Sequence, residues 1–104
     1  MDCLFCSIAA ENIPATIIDS DDVSVAFLDI EPFQDGHTLV IPRKHVTSVL
    51  DDGGELGRIS PMVTRVARRL VDSLGASGVN VVSNAGAVAG QSVQHLHVHV
   101  IPRY

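Results

Sequence analysis

The strongest constraint on the fold is a histidine-rich segment near the end of the sequence, where residues 95–101 read HLHVHVI. Histidines alternate there with aliphatic residues, and a period of two with β-branched residues is typical of a strand that has two unlike faces. Residues two apart in a strand lie roughly 6.6 Å apart, so about twice that distance separates His95 from His99. Because this span is too long for one small site, we expect the row to touch two adjacent sites, the outer histidine at one end having a different task from the inner pair.

A plainer explanation is a strand whose histidines simply face water. Leu96, Val98 and Val100 would then face the core. Three of the five histidines of the chain in strict alternation fit this explanation poorly. A core strand seldom has a free polar face unless a cleft lies over it, so we expect a cleft here.

The size and charge of the chain limit the classes of function. With 104 residues and 46% hydrophobic content, it suits a single domain, residues 1–104, with one mainly aliphatic core. A formal net charge of -5 argues against a protein that binds nucleic acid polymers, because phosphate backbones favour clustered lysine and arginine; small anionic ligands still suit local donors. The first residues contain no basic start and no long apolar run, so we expect no signal peptide, no membrane span and a cytoplasmic location.

Two cysteines, Cys3 and Cys6, have C-x-x-C spacing. A structural disulfide is disfavoured in a chain expected in the cytoplasm. The pair lies before a short helical run, whereas a thioredoxin-like redox pair would follow a strand in a βαβ unit, so the context favours half of a metal site. Tetrahedral zinc would need two further ligands, which histidines can supply. A redox pair and two plain buried thiols stay as alternatives.

The remaining pattern predicts both helices and strands. The predicted elements are a short helix at 4–11, a hairpin of strands 15–19 and 23–28, a strand at 37–41, an amphipathic helix at 56–74 and a strand at 79–83. Pro61 predicts either a kink in the long helix or a start there, with Ser60 as the N-cap. Gly75 predicts its end.

Polar residues stand at several ends of these elements. Asp29 follows a strand directly and either caps a turn or binds the hydroxyl pair of a ligand; the residues alone do not choose. Residues 84–92 read NAGAVAGQS, a small, glycine-bearing loop that is either a plain connection or brings backbone N–H groups close to an anion. Its position before the histidines favours the anion, and Gln91 and Ser92 add side-chain donors.

Several separated motifs resemble, in order, those of the histidine triad family. Residues 95–101 resemble its motif of three histidines alternating with apolar residues, and the match extends to residues 90–93 and 102–103. Residues 26–30, 36–42 and 78–80 also match, so the resemblance covers nearly the whole chain. The CLFC sequence at residues 3–6 looks like the zinc-carrying bacterial branch.

The resemblance implies an α+β fold, with a five-stranded antiparallel sheet, one long helix and one short helix. It also implies a homodimer that acts on a purine nucleotide at the α-phosphate. His97 would be the nucleophile and form a nucleotidyl-histidine that water cleaves. Imidazole suits this role because it is neutral enough to attack near pH 7 and because the phosphoryl-imidazolium that it forms releases imidazole readily. His99 would hold the phosphate and assist the leaving group, and His37 would support the nucleophile.

The resemblance also implies the binding positions. These are Asp29 for the ribose hydroxyls, Asn84, Gln91 and Ser92 for the phosphate or the leaving group, and Phe5, Ile8, Phe27, Ile30 and Leu39 for the base. The implied ligands of a structural zinc ion are Cys3, Cys6, His45 and His95. The zinc would brace the histidine strand and take no part in the chemical step.

Many family members continue past the position of Tyr104, and several leaving groups stay open. Ser92 before Val93 resembles the phosphoramidase branch most, which favours an amine on AMP. A dinucleoside polyphosphate and an acyl-adenylate are the other candidates. Two different classes stay in view: a metal-dependent hydrolase that uses His95 and His97, with or without His99, around an open zinc site, and a nucleotide-binding or scaffold protein with vestigial chemistry.

Overall fold

The computed structural model describes residues 3–104 and has an α+β architecture. Its helices and strands, in chain order, are α1 (Leu4–Ala9), β1 (Ile17–Ser20), β2 (Ser24–Leu28), β3 (Thr38–Pro42), α2 (Glu55–Leu74), β4 (Gly78–Val82) and β5 (Val98–Arg103). The strands form one sheet in the order β1-β2-β3-β5-β4, with every neighbouring pair antiparallel. The predicted five-stranded antiparallel sheet with one long and one short helix is confirmed.

The two faces of the sheet pack against different helices. Alternate residues of β3 and β5, such as Val40, Val98 and Val100, pack against the apolar side of α2. Because neighbouring residues of a strand point to opposite faces, Leu39 and Ile41 of β3 pack on the side of α1. The same alternation turns His99 to the face opposite α2. The predicted core face of the histidine strand is therefore correct at Val98 and Val100.

The histidine strand begins later than predicted. β5 starts at Val98, so residues 95–97 precede it. The backbone N–H of Leu96 donates to Val46 at 2.7 Å instead of to the sheet. Pro42, which would lie opposite Leu96 in the β3–β5 register, has no N–H and cannot continue the ladder. The prediction of a strand over 95–101 was wrong for its first three residues for this reason.

Helix α2 runs through Pro61 and starts before it. Carboxylate oxygens of Asp52 accept from the N–H groups of Glu55 at 2.5 Å and Leu56 at 3.1 Å, which caps the helix early. Ser60 is inside the helix, and its hydroxyl donates to the Gly57 carbonyl at 2.8 Å, the group that the missing N–H of Pro61 leaves unpaired. A start at Pro61 was therefore the wrong alternative.

Within residues 3–104, no helix is both long and apolar enough to cross a bilayer.

Gly36, the residue before His37, stands where the backbone and the packing both require glycine. Its φ is +93°, and a Cβ there would lie 2.6 Å from Cδ1 of Leu74 and 3.1 Å from Cδ2 of Leu70. We expect Gly36→Ala to lower the free energy of unfolding by about 1–3 kcal/mol, because the side chain adds both overpacking and backbone strain. Urea unfolding of the variant measures this. Gly57→Ala is the matched control: a Cβ at Gly57 meets no atom within 4 Å, and equal losses in both variants would contradict the explanation.

Candidate active site and metal centre

The histidines gather on the sheet face that α1 covers. His99 lies on β5 opposite Leu39 of β3, and His37 immediately precedes β3. His95 and His97 come from the segment before β5, and the Phe5 ring of α1 packs edge to face with both of them, at centroid distances of 6.0 and 5.1 Å. His37, His95 and His97 are buried, whereas His99 is half-buried.

Hydrogen bonds define the protonation of His37 and His99. The backbone N–H of Phe33 donates to Nδ1 of His37 at 3.2 Å, so the proton of the neutral imidazole is on Nε2. That Nε2 lies 3.0 Å from Nδ1 of His99 and 3.5 Å from Oδ2 of Asp29. His37 therefore donates to His99, and a neutral His99 has its own proton on Nε2. The hydrogen bond of His37 is with His99, and the support of His97 by His37 that the resemblance implies stays a prediction.

His97 presents an unprotonated nitrogen. Its Nδ1 lies 2.7 Å from the backbone oxygen of His95, and since a carbonyl can only accept, Nδ1 carries the proton. The lone pair of the neutral ring is then on Nε2. The His97 and His99 rings meet edge to face, with centroids 5.1 Å apart. A nucleophilic nitrogen and an N–H donor therefore lie on neighbouring imidazoles.

Burial favours the neutral forms of His37 and His99. It is the main cause that lowers the pKa of His37, where the Arg103 charge also acts downward and Asp29 opposes both. Burial likewise lowers the pKa of His99, followed by the neighbouring His97 and His37. The pKa values of both imidazoles therefore lie below the ordinary value of about 6.5, and both rings are mainly neutral at pH 7.

A second cluster lies at the other end of the histidine row. Two thiols and two imidazoles converge there, with Nδ1 of His95 3.4 Å from Sγ of Cys3 and 3.1 Å from Nδ1 of His45. Sγ of Cys6 lies 3.2 Å from Nδ1 of His45. Zinc bonds of about 2.3 Å to sulfur and 2.0–2.1 Å to nitrogen, at tetrahedral angles, require nitrogen–nitrogen and nitrogen–sulfur separations of about 3.3–3.6 Å. The donor set and its spacing fit a tetrahedral zinc ion with a complete protein shell.

The groups around this cluster favour metal binding. Nε2 of His95 donates to the Pro42 carbonyl at 2.9 Å, which leaves the Nδ1 lone pair directed to the cluster. Burial is the main cause that raises the pKa of the Cys6 thiol, and the adjacent Cys3 raises it further. A bound cation would offset this cost, because metal ligation requires the thiolate. The cysteines are free thiols that contact histidines.

The alternative of a catalytic metal among the triad histidines fits the geometry poorly. In the part of the chain that the structure describes, two groups of side chains have metal-binding spacing: the four residues above, and Asp29 with His37 and His99. His97 belongs to neither. In the second group, the Phe33 N–H keeps the proton of His37 on Nε2, the nitrogen that a metal would need. This group is better suited to hydrogen bonding than to ligation.

The glycine-bearing loop before the triad is held from inside by Gln91. The Gln91 side chain is buried; its oxygen accepts from the Gly86 N–H at 2.8 Å, and its nitrogen donates to the carbonyls of Thr47 and Val93 at 2.6 and 3.0 Å. Asn84 donates to Gly90 at 3.4 Å. Ser92 is exposed. Gln91 thus shapes the loop, while Ser92 faces outward.

The apolar positions expected around the base fall into two groups. Phe5, Ile8, Phe27 and Leu39 are buried together between α1 and the sheet. Ile30 is 91% exposed, directly after Asp29. Asp29 also has two contacts, since its Oδ1 accepts from the Glu31 N–H at 3.0 Å while Oδ2 faces His37. It caps a turn and lies at the site at once, so the two alternatives for Asp29 are compatible.

Phe33 is a site neighbour that the sequence did not reveal. It contacts His37 through its N–H and stacks its ring on the imidazole at an interplanar angle of 8°. Nothing in the sequence around it has the spacing of a motif. A phenylalanine four residues before a histidine in a loop is placed only by the path of that loop.

Three alternating histidines that lead into a central antiparallel strand, the first facing two cysteines and the last bonded to His37, define a histidine triad protein. The chain matches the HIT domain over residues 10–104. It belongs to the HIT family, whose members are hydrolases and transferases of nucleotides.

Named relatives and solved structures agree with this membership. Protein hit of Bacillus subtilis is 43% identical over 103 residues, which cover 98% of this chain and 71% of that protein. The adenosine 5′-monophosphoramidase hnt1 of Schizosaccharomyces pombe is 38% identical over 104 residues, covering 99% of this chain and 75% of that protein. A crystal structure of a zinc-bound histidine triad protein from Mycobacterium smegmatis is 39% identical with a TM-score of 0.95, covering 100% of this chain and 76% of that one.

Proposed function

We propose that this protein hydrolyses a purine nucleoside phosphoramidate, an amine on AMP, at the α-phosphate through a covalent intermediate on His97. The observation that carries the proposal is the hydrogen bond from Nδ1 of His97 to the His95 carbonyl, which leaves Nε2 as a lone-pair nucleophile inside the site. The name of the yeast relative, a monophosphoramidase, supports the choice of an amine as the leaving group.

The proposed reaction has two displacements. Nε2 of His97 attacks phosphorus, the P–N bond breaks, and the leaving nitrogen takes a proton from solvent to depart as an amine. The Nε2–H of His99 donates to the phosphate and assists this departure, where charge develops. Water then attacks phosphorus, loses a proton to solvent, and releases AMP and the neutral imidazole of His97. Exposed Ser92 and backbone N–H groups of the adjacent loop are further phosphate donors, with Asn84 and Gln91 holding that loop.

A structural zinc ion would be held by four residues, Cys3, Cys6, His45 and His95. When bound, zinc supplies a rigid link between α1, the end of β3 and the histidine segment, with no open coordination position. The separations of 3.1–3.5 Å between sulfur and nitrogen atoms and between the two imidazole nitrogens support this assignment. So does the zinc-bound relative from Mycobacterium smegmatis.

A homodimer is the assembly that the sheet supports. β4 is an edge strand, and its Val81 and Val82 are exposed at 53% and 41%. An unpaired edge with apolar side chains favours pairing with another strand, and a second copy offers the same edge in a two-fold arrangement. The molar mass in solution tests this, with twice the 11.1 kDa of the chain expected.

A side-by-side assay tests the substrate class. Equal concentrations of an AMP-amine, a dinucleoside polyphosphate and an acyl-adenylate are compared by kcat/KM, with release of AMP followed in each case. The phosphoramidate should be the best substrate. A higher kcat/KM for the dinucleoside polyphosphate would replace the proposed substrate by the second candidate within the family.

Asp29→Ala tests the ribose contact. We expect this variant to weaken nucleotides with both ribose hydroxyls by about 1.5–3 kcal/mol, because a carboxylate that accepts two hydroxyls is lost. The 2′,3′-dideoxy forms should be affected much less. Titration calorimetry measures both. Asp35→Ala, which removes an exposed carboxylate from the same loop, should change neither; equal weakening of ribose and dideoxy forms by Asp29→Ala would show that Asp29 serves only as a turn cap.

A further inference from the structure

Resting on the proposed function, we propose that Phe33 is a positioning residue that acts on the reaction through His37. It does so by two separate contacts, one from its backbone and one from its ring. Neither contact touches the reacting atoms, so the effect passes from Phe33 to His37 and then to His99.

The backbone contact determines which nitrogen of His37 has the proton. The Phe33 N–H donates to Nδ1 at 3.2 Å, and a protonated Nδ1 would place two donors against each other. With Nδ1 accepting, Nε2 donates to Nδ1 of His99 at 3.0 Å. The remaining proton of His99 then stays on Nε2, where the proposed reaction requires a donor. A change of tautomer at His37 would reverse this direction.

The ring contact keeps water from His37. The Phe33 ring lies parallel to the imidazole at a centroid distance of 5.7 Å, an offset stack. His37 is 1% exposed, whereas Phe33 is 75% exposed. Because most of the Phe33 ring is exposed, the ring itself buries little apolar surface. We infer that it serves instead to shield the outer face of the His37 imidazole from water.

The loop that carries Phe33 is held in place by contacts independent of the phenyl ring. The Glu31 N–H donates to Asp29, the His37 N–H to the Gln34 carbonyl at 3.1 Å, and the Tyr104 hydroxyl to the Asp35 carbonyl at 2.7 Å. These bonds remain when the side chain of Phe33 is changed. Substitutions of the ring therefore test the cover over His37 rather than the path of the loop.

The charge balance at His37 gives a readout that needs no substrate. The charged and titratable groups that face it are Asp29, which favours the imidazolium, Arg103, which disfavours it, and His99. Burial is the largest influence and lowers the pKa of His37. Without the Phe33 ring, water reaches the imidazole, so its pKa should rise toward the ordinary value of about 6.5.

Three changes at Phe33 separate the two contacts. Phe33→Leu removes the ring and keeps the N–H, Phe33→Tyr keeps both, and phenyllactic acid, introduced by nonsense suppression, keeps the ring and replaces the N–H by an ester oxygen. Gln34→Ala is the control in the same exposed loop. Long-range proton–nitrogen NMR of the intact protein reports the tautomer and the titration of His37 in each.

We expect Phe33→Leu to raise the titration midpoint of His37 and the ester to mix its two tautomers, while Phe33→Tyr and Gln34→Ala match the parent. With an AMP-amine, kcat should fall about 3- to 10-fold in the leucine and ester proteins, the size of one neutral hydrogen bond, with KM unchanged. An unchanged tautomer in the ester protein together with an unchanged titration in Phe33→Leu overturns the proposal. If the parent protein turns over no phosphoramidate, the proposed function is overturned instead. The NMR measurements need no substrate, so they test the role of Phe33 separately.

Discussion

His97→Ala is expected to remove essentially all turnover of an AMP-amine. The substitution deletes the nitrogen that forms the bond to phosphorus, and the neighbouring imidazoles cannot replace it. Nδ1 of His99 is occupied by the hydrogen bond from His37, and His95 faces the cysteines. A coupled assay of AMP release, with the fold checked by circular dichroism, measures this.

His99→Ala provides the matched comparison on the same strand. It removes a donor but keeps the nucleophile, so activity should fall by roughly 10²–10⁴ and remain measurable. His97→Gly leaves space for a free imidazole, and added imidazole should restore part of its activity. This rescue would be absent for His99→Ala if the two residues have the proposed roles.

The covalent intermediate gives two independent observations. Rapid quench and mass spectrometry should find a nucleotidyl group on His97 in the parent protein. A substrate that is chiral at phosphorus should give a product with retained configuration, because two inversions cancel. Full activity of His97→Ala, or inversion at phosphorus, would contradict the covalent mechanism and favour direct attack by water.

Cys3→Ala is expected to have the largest effect on stability. The intact protein should contain about one zinc ion per chain, measured by elemental analysis, and the variant should contain less. Loss of a ligand from a four-coordinate site removes the binding free energy that stabilises the native state, about 4 kcal/mol when free zinc is a thousand times Kd. Thermal melts with and without chelator measure this difference.

The zinc prediction separates stability from chemistry. Below the melting temperature of Cys3→Ala, its single-turnover rate should stay close to that of the parent, because His97 is not one of the four proposed zinc ligands. Ser7→Ala, in the same helix, is the control and should melt like the parent. A protein that is isolated without zinc and a Cys3→Ala variant that melts normally would contradict the assignment.

Local pattern predicted most of the fold. The alternation of Val98 and Val100 with histidines predicted which face of β5 meets the core, and the three- and four-residue spacing predicted α2. Both succeed because side-chain direction in a strand or helix follows from the backbone period. The predicted ends of the helices and strands were less accurate than their predicted faces. Asp52 starts α2 through capping bonds and Pro42 ends the ladder opposite Leu96, and such ends depend on partners outside the periodic segment.

Some features of the site follow from spacing along the chain, and others depend on how distant segments pack together. The sequence by itself determined that three histidines alternate, that two cysteines have C-x-x-C spacing, and that an aspartate and a histidine flank a loop, since these are matters of spacing along one chain. Only the tertiary structure decided that His45 and His95 meet the cysteines, that His37 bonds to His99, and that Phe33 stacks on His37. Those contacts join residues up to 92 positions apart. The tautomers of His37 and His97 depend on two backbone groups, the Phe33 N–H and the His95 carbonyl. Nearly every residue has such groups, so the sequence does not mark them. Chain spacing therefore selects the reacting groups, while the packing of distant segments assigns each nitrogen its proton.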